Sequence, residues 1–356
     1  MAQEATSSSG TPRELGAPLG DEDEYIVRVE GLKVWFPVRA GLRSRLGRKP
    51  AKYVRAVDGL DFGVRKREIL CLAGESGSGK STTGLAILRL LNPTEGRMFF
   101  KGEETLSLKK KDLKRIRRFM QIVFQDPYES LNPRMTIFDA IAEPLEIYKL
   151  VKSEDEKRSK VIRLLENVEL APAKNFLYKF PHELSGGQRQ RVAIAMALAV
   201  DPEFLVADEP VSMLDLSIRA EILNLLVSLG EKFGLAILFI THDLSTAYHV
   251  ADRIAIMYLG KIVEIGSAEE VINHSLHPYT RALIAAIPGT EAKEELWRKI
   301  SKAEIPSAID IPAGCRFHDR CPYAIDRCHQ EEPEMTKSRS GHWVSCHLSG
   351  QIWQSS

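Results

Sequence analysis

The run Gly74-Glu75-Ser76-Gly77-Ser78-Gly79-Lys80-Ser81 combines the residue types that a polyphosphate needs. Glycines let the backbone curl until successive N–H groups point at phosphate oxygens. Lys80 supplies positive charge suited to β- and γ-phosphates, and the Ser81 hydroxyl, with Thr82 beside it, suits a Mg²⁺ ion. The apolar run Ile69 to Ala73 before the loop reads as a strand, and Leu85, Leu88 and Leu91 after it keep a helical period. The loop is therefore expected at a helix N-terminus, whose dipole favours anions. A nucleoside triphosphate is the ligand that this pattern calls for.

Three more segments repeat the design of an apolar run delivering a polar residue. Phe204 to Ala207 ends in Asp208 and Glu209, Leu238 to Thr241 ends in His242, and Gln121 to Phe124 ends in Gln125. Short continuous apolar runs suit buried parallel strands, which present such residues at their C-terminal edge. Asp208 is placed to hold Mg²⁺ through water and Glu209 to orient and polarise an attacking water. Ser185-Gly186-Gly187-Gln188 opens a helical stretch from Arg189 to Leu198. Ser185 there reads either as a simple N-cap or as part of a second phosphate receptor at a helix N-terminus.

Taken together, these motifs resemble the nucleotide-binding subunits of ATP-binding-cassette (ABC) transporters, over roughly residues 26 to 287. Leu184-Ser185-Gly186-Gly187-Gln188 matches that family's LSGGQ motif residue for residue. The resemblance implies a head-to-tail dimer in which ATP lies between the phosphate-binding loop of one subunit and the LSGGQ of the other. It also implies that His242 contacts the γ-phosphate and that Gln125, the Q-loop residue, touches the metal and attacking water. Ser212 to Asp215 match the loop that crosses the dimer interface, which places Asp215 there. An aromatic upstream of the phosphate loop stacks on adenine in the family; Phe36 is the best positional match, with Trp35 and Tyr53 as rivals.

The elements that must position these residues follow from composition and pattern. The alternating β/α pattern gives an α/β fold with a parallel-sheet core and helices over about 130–183, and the resemblance implies an antiparallel β subdomain, a helical subdomain at those residues and a small C-terminal extension stapled by a metal. At 356 residues and 44% hydrophobic, the chain has ample core for residues 25–270 as a nucleotide-binding domain. Residues 1–24 are Ser-, Gly- and acid-rich and are expected to be disordered, with no signal peptide. Basic residues from Arg39 to Lys52 (Arg39, Arg43, Arg45, Arg48, Lys49, Lys52) read as a solvated insert. A formal net charge of +1 gives no bias toward nucleic acid or an anionic membrane. No apolar run reaches the 18 or so residues of a membrane span, so the expected location is the cytoplasmic side of the membrane, held there by partners.

Residues 271–356 narrow the resemblance. His277-Pro278-Tyr279-Thr280 resembles the motif opening the C-terminal extension of dipeptide and oligopeptide importers, and Asp208-Glu209-Pro210-Val211-Ser212 points to their second ATPase subunit. The implied partners are two membrane-spanning permease subunits, a paralogous ATPase or a second copy of this chain, and, indirectly, an extracellular binding protein. The same engine in an oligosaccharide importer, or a soluble non-transport ABC ATPase, stands as the alternative. Four of the five cysteines, Cys315, Cys321, Cys328 and Cys346, lie in this extension with spacing C-x5-C-x6-C-x17-C. They suit a [4Fe-4S] cluster, which a similar array in some peptide importers holds; Zn²⁺, with His318, His329, His342 and His347 as further ligands, and disulfides are the other readings.

Overall fold

The computed structural model describes residues 24–38, 52–287, 306–339 and 341–349. The expected disordered start, apart from Glu24, and the basic insert, apart from Lys52, lie outside these residues. An antiparallel sheet in the order β2-β1-β4-β5 is built from β1 (Tyr25–Pro37), β2 (Tyr53–Arg65), β4 (Glu95–Phe100) and β5 (Glu103–Glu104). The main sheet contains β3 (Ile69–Ala73), β6 (Met120–Val123), β7 (Phe204–Asp208), β8 (Ala236–Thr241) and β9 (Arg253–Tyr258), all parallel in the order β9-β3-β8-β7-β6.

Every residue of β3 and β8 is buried, which explains their unbroken apolar sequences. Successive residues alternate between the two faces. Cys71, Leu205, Ile237 and Phe239 join the core under the helices, while Leu70, Leu72, Val206 and Leu238 join the core under the antiparallel sheet. Parallel pairing aligns the C-terminal ends: Ala73 sits opposite Thr241, Asp208 opposite Ile240 and Val123 opposite Ala207. The four polar positions that follow these strands therefore share one edge of the sheet.

Helix α1 (Lys80–Ile87) starts directly behind the glycine loop. It is shorter than the leucine period predicts, because Arg89 turns into the left-handed region at φ 56°. The N–H groups of Leu90 and Leu91 then fold back onto Leu85 O instead of continuing the ladder. After α2 (Lys110–Arg117) and α3 (Pro127–Ser130), the helical subdomain contains α4 (Ile137–Ile147) and α5 (Glu154–Asn167) and leads into α6 (Gly186–Leu198). Thr136 and Asp139 form a reciprocal capping box on α4, and Ser153 caps α5, so both starts are set by local sequence.

The C-terminal extension departs from expectation. Strands β10 (Lys261–Ser267), β12 (His342–Val344) and β11 (Thr336–Arg339) add antiparallel to β9 and widen the main sheet. Phe317 is 1% exposed and packs on Tyr258, Tyr279 and His277 at centroid distances of 5.3, 5.4 and 5.6 Å. Burying such a ring contributes roughly 1.5–3 kcal/mol. The tail is thus fastened to the main domain by shared core and sheet, contacts that the expectation of a metal-stapled, loop-rich tail did not include. The HPYT residues are part of this fastening. His277 caps α10 (Pro278–Ala285) by accepting the Tyr279 N–H on Nδ1 at 3.0 Å, and burial pulls its pKa down to about 3, so the ring is a neutral acceptor. No described helix is long and apolar enough to cross a membrane.

Candidate functional site

Gly74, Gly77 and Gly79 all have positive φ, as a loop curling around an anion requires. At Gly79 the requirement is also spatial, since a Cβ would lie 2.0 Å from Ala56 O. Lys80 is buried at the centre and donates to the carbonyls of Gly74 and Glu75 at 2.8 and 2.9 Å. Burial lowers its pKa, while the carboxylates of Glu209 and Asp208 oppose that shift and keep a cation there. The Ser81 hydroxyl donates to Asp208 Oδ1 at 2.9 Å. Burial raises the Asp208 pKa, the neighbouring Glu209 adds to this, and Ser81 and Lys80 act the other way. A hydroxyl and a half-desolvated carboxylate at the end of a lysine-lined loop are donors suited to Mg²⁺.

Glu209 directly follows β7 with φ 46°, a left-handed conformation that costs a non-glycine residue of order 1–3 kcal/mol. Its N–H is anchored on Ile240 O at 2.9 Å, and its carboxylate meets His242 Nδ1 at 3.1 Å. Both line a cleft of about 390 Å³ together with Ser212, Arg219, Thr241 and Asp243. The sheet edge thus gathers Lys80, Ser81, Asp208, Glu209 and His242. Gln125 lies exposed two residues past the end of β6, at the same edge.

The second glycine motif is elsewhere. Ser185 is indeed the N-cap of α6, in a capping box where Ser185 Oγ accepts the Gln188 N–H at 3.3 Å and Gln188 Oε1 accepts the Ser185 N–H at 3.1 Å. Gly187 is required by close packing, because a Cβ there would lie 2.5 Å from Ile218 Cγ2, and Gly186 approaches Leu214. Helix α6 packs chiefly on α3, α4, α5, β6 and α7 (Leu216–Phe233), whereas α1 packs on β1, β2, β7 and β8. Within one chain, then, the segment is an ordinary cap at the N-terminus of a helix that packs on different elements from the helix behind the phosphate loop. Asp215 precedes α7, exposed between Met213, 63% exposed, and Leu216, 82% exposed.

Phe36 and Tyr53 are each 40% exposed, at the open end of the β1–β2 pair. A core role for Phe36 is therefore excluded. The Trp35 ring lies 6.3 Å from that of Tyr53, and its indole N–H donates to Asp58 at 2.9 Å. Two residues that motif reading did not assign to this region also reach it: Tyr279 accepts the Glu75 N–H at 2.9 Å, and Arg320 pairs with the Glu75 carboxylate. The tyrosine of the HPYT motif was the one signal that could have pointed there.

The four tail cysteines lie within electrostatic range of one another. Burial pushes Cys315 up to about 11 and Cys321 to about 12, with the other thiols acting in the same direction, and Cys346 is raised as well. The Cys315 N–H donates to Cys328 O at 2.8 Å. Among the described residues, no three His, Cys, Asp or Glu side chains are grouped so as to hold a single metal ion. The histidines considered for Zn²⁺ are engaged elsewhere: His342 with Glu264 at 2.8 Å, His347 with Glu331 O at 2.9 Å, and His318 with Cys315 O at 2.7 Å and against the His329 ring. All four thiols are free of disulfides, as is the buried Cys71.

Comparison with known proteins agrees with this geometry. The family described as "ABC transporter" matches residues 57–212, and that described as "Oligopeptide/dipeptide transporter, C-terminal region" matches residues 263–328. Similar curated proteins include the oligopeptide transport ATP-binding protein AppF of Bacillus subtilis (strain 168), 44% identical over 91% of this chain and 98% of its own length. The putative oligopeptide transport ATP-binding protein YkfD of the same organism is 46% identical over 83% of this chain and 90% of its own length. Among solved structures, the dimeric post-hydrolysis ATP-binding cassette MJ0796 bound to ADP and Pi superposes with TM-score 0.58 at 30% identity, covering 68% of this chain and 98% of that one. The cassette cbiO1 from Clostridium perfringens gives TM-score 0.60 at 25% identity, over 77% and 99% of the two chains.

Proposed function

We propose, from the premise that this chain belongs to the oligopeptide-importer branch of the ABC transporter ATP-binding proteins, that it hydrolyses ATP to drive peptide import through two permease subunits. The observation that carries the reading is the meeting of Lys80, Ser81, Asp208, Glu209 and His242 at one sheet edge in a chain whose tail matches the oligopeptide-transporter C-terminal region. The backbone of residues 74–79 and Lys80 would bind the phosphates. Ser81 and Asp208, with Gln125, would hold Mg²⁺, which neutralises phosphate charge when bound. Glu209 would take the proton of the attacking water while His242, on its carboxylate, fixes its orientation and reaches the γ-phosphate.

The LSGGQ segment caps α6, which packs on different elements from α1, and a second ATPase subunit would complete each site with its Ser185, Gly186, Gly187 and Gln188. Exposed Met213 and Leu216 on either side of Asp215 supply apolar surface for that contact. The partner would be a paralogue or a second copy of this chain, and the pair would sit on the cytoplasmic face of the membrane. Phe36, beside Tyr53, would stack on adenine. Cells lacking this chain are expected to lose uptake of labelled di- and oligopeptides. Restoration by the parental chain but not by Lys80→Ala would support the reading; unchanged peptide uptake with lost oligosaccharide uptake would contradict it.

The raised Asp208 pKa gives a pH-dependent outcome. A proton competes with Mg²⁺ for this carboxylate above the ordinary Asp range, near 4. The Mg²⁺ concentration needed for half-maximal hydrolysis should therefore climb more steeply as pH falls toward the Asp range in the parental protein than in Asp208→Asn. Parallel curves would show that this group does not hold the ion.

The four cysteines would hold an iron–sulfur cluster. Burial raises the pKa of Cys315, Cys321 and Cys346, so their ionisation needs positive charge nearby, and a cluster accepts looser spacing than a single ion. Anaerobically purified protein should contain iron and acid-labile sulfide in about equal amounts, with visible absorption lost in Cys328→Ser. Colourless, iron-free protein purified under the same conditions would refute this.

A further inference from the structure

The short segment between Cys315 and Cys321 carries two buried arginines, one paired with Glu75 of the phosphate-binding loop and the other with Asp58 of β2. Arg320 meets the Glu75 carboxylate with both terminal nitrogens, Nη1 to Oε2 and Nη2 to Oε1, each at 2.8 Å. Its side chain is 2% exposed and lies against the rings of Tyr258 and Phe317, both at 5.7 Å. Arg316 donates to Asp58 Oδ2 at 2.5 Å and to the Leu259 carbonyl. Asp58 also receives the Trp35 indole N–H, beside the exposed aromatics of the β1–β2 end. The loop wall is held a second time where Tyr279 accepts the Glu75 N–H.

Glu75 is the acidic residue of the phosphate-binding loop, and a carboxylate there repels a triphosphate unless its charge is compensated. A two-pronged guanidinium contact compensates the charge and also fixes the carboxylate plane, which an ammonium group cannot do. Because the pair is largely desolvated, its loss is costlier than that of a surface ion pair.

We infer that Arg320 is a positioning residue for ATP binding: from the C-terminal extension it neutralises Glu75 and holds the phosphate-binding loop in its gripping shape. This rests on the ATPase reading above. Arg320 does not touch the reacting atoms, so its effect should appear in affinity and not in turnover at saturation.

The test compares fluorescent-ATP titration and steady-state hydrolysis for the full chain with its partner subunits, using Arg320→Ala, Arg320→Lys, the double variant Arg320→Ala/Glu75→Gln, and Lys80→Ala. Arg320→Ala should raise Kd and KM for ATP about tenfold with kcat within about threefold, and Arg320→Lys should lie between it and the parent. The double variant should return to within about threefold of the parental Kd, because the repelling charge is gone. Parental affinity in Arg320→Ala, or a loss undiminished in the double variant, would overturn the inference, the latter showing that Arg320 only packs the tail. Should Arg320→Ala fail to fold, Arg320→Lys decides alone, and parental Kd in that variant overturns it. Lys80→Ala separates the two layers. Intact ATP binding there sinks the nucleotide site itself, whereas lost binding there beside parental Arg320 variants sinks only this inference.

Discussion

Glu209→Gln should leave ATP binding intact and lower hydrolysis by about 10²–10⁴-fold, the range that a positioned general base supplies. The amide keeps the size of the side chain but cannot accept the water proton. Glu209 is held in a left-handed conformation with its N–H tied to Ile240 O, so the substitution changes the basicity of the group and not its position. The His242 contact loses its charged partner, while the amide oxygen can still accept from the ring and keep the side chain in place. Rapid-quench measurement of phosphate release in the assembled protein reads the effect, and equilibrium ATP binding is the control. A parental rate would remove Glu209 from the chemistry.

Lys80→Ala acts on the other half of the site. A buried ammonium on phosphate oxygens contributes about 2–5 kcal/mol, so ATP affinity should fall by about 30-fold or more. The variant also leaves the carbonyls of Gly74 and Glu75 without their donor, and the loop should lose part of its shape even before nucleotide arrives. Titration with a fluorescent ATP analogue measures the loss. Unchanged affinity would show that the phosphates lie elsewhere.

The meeting of polar residues at one sheet edge was legible in the sequence because each of them terminates a local pattern. The apolar runs before Gly74, Asp208 and His242 are strands β3, β7 and β8, and parallel pairing alone brings their ends together. The loop glycines were equally legible, since positive φ leaves a residue-type signature at Gly74, Gly77 and Gly79. Ser185 was ambiguous for a physical reason: capping a helix and presenting its N-terminus to an anion require the same residue, and the structure shows the cap. The fastening of the tail was not legible because it comes from pairing with distant residues. Arg320 and Glu75 are 245 positions apart, and Glu264 in β10 pairs with Val344 in β12. No periodicity within residues 306–349 reports such contacts. The end of α1 at Ile87 was also hidden, because the leucine spacing continues past a backbone reversal that a single residue, Arg89, imposes.

In a shared site, the phosphate loop and Glu209 of one subunit would be completed by Ser185 to Gln188 of another, and hydrolysis would depend on association. Hydrolysis per subunit, measured against total protein concentration with association state followed by sedimentation, tests it most directly. The account predicts a specific rate that rises as dimer forms and is negligible while the protein is monomeric. A constant specific rate across that range, with monomers turning over as fast as dimers, would contradict it.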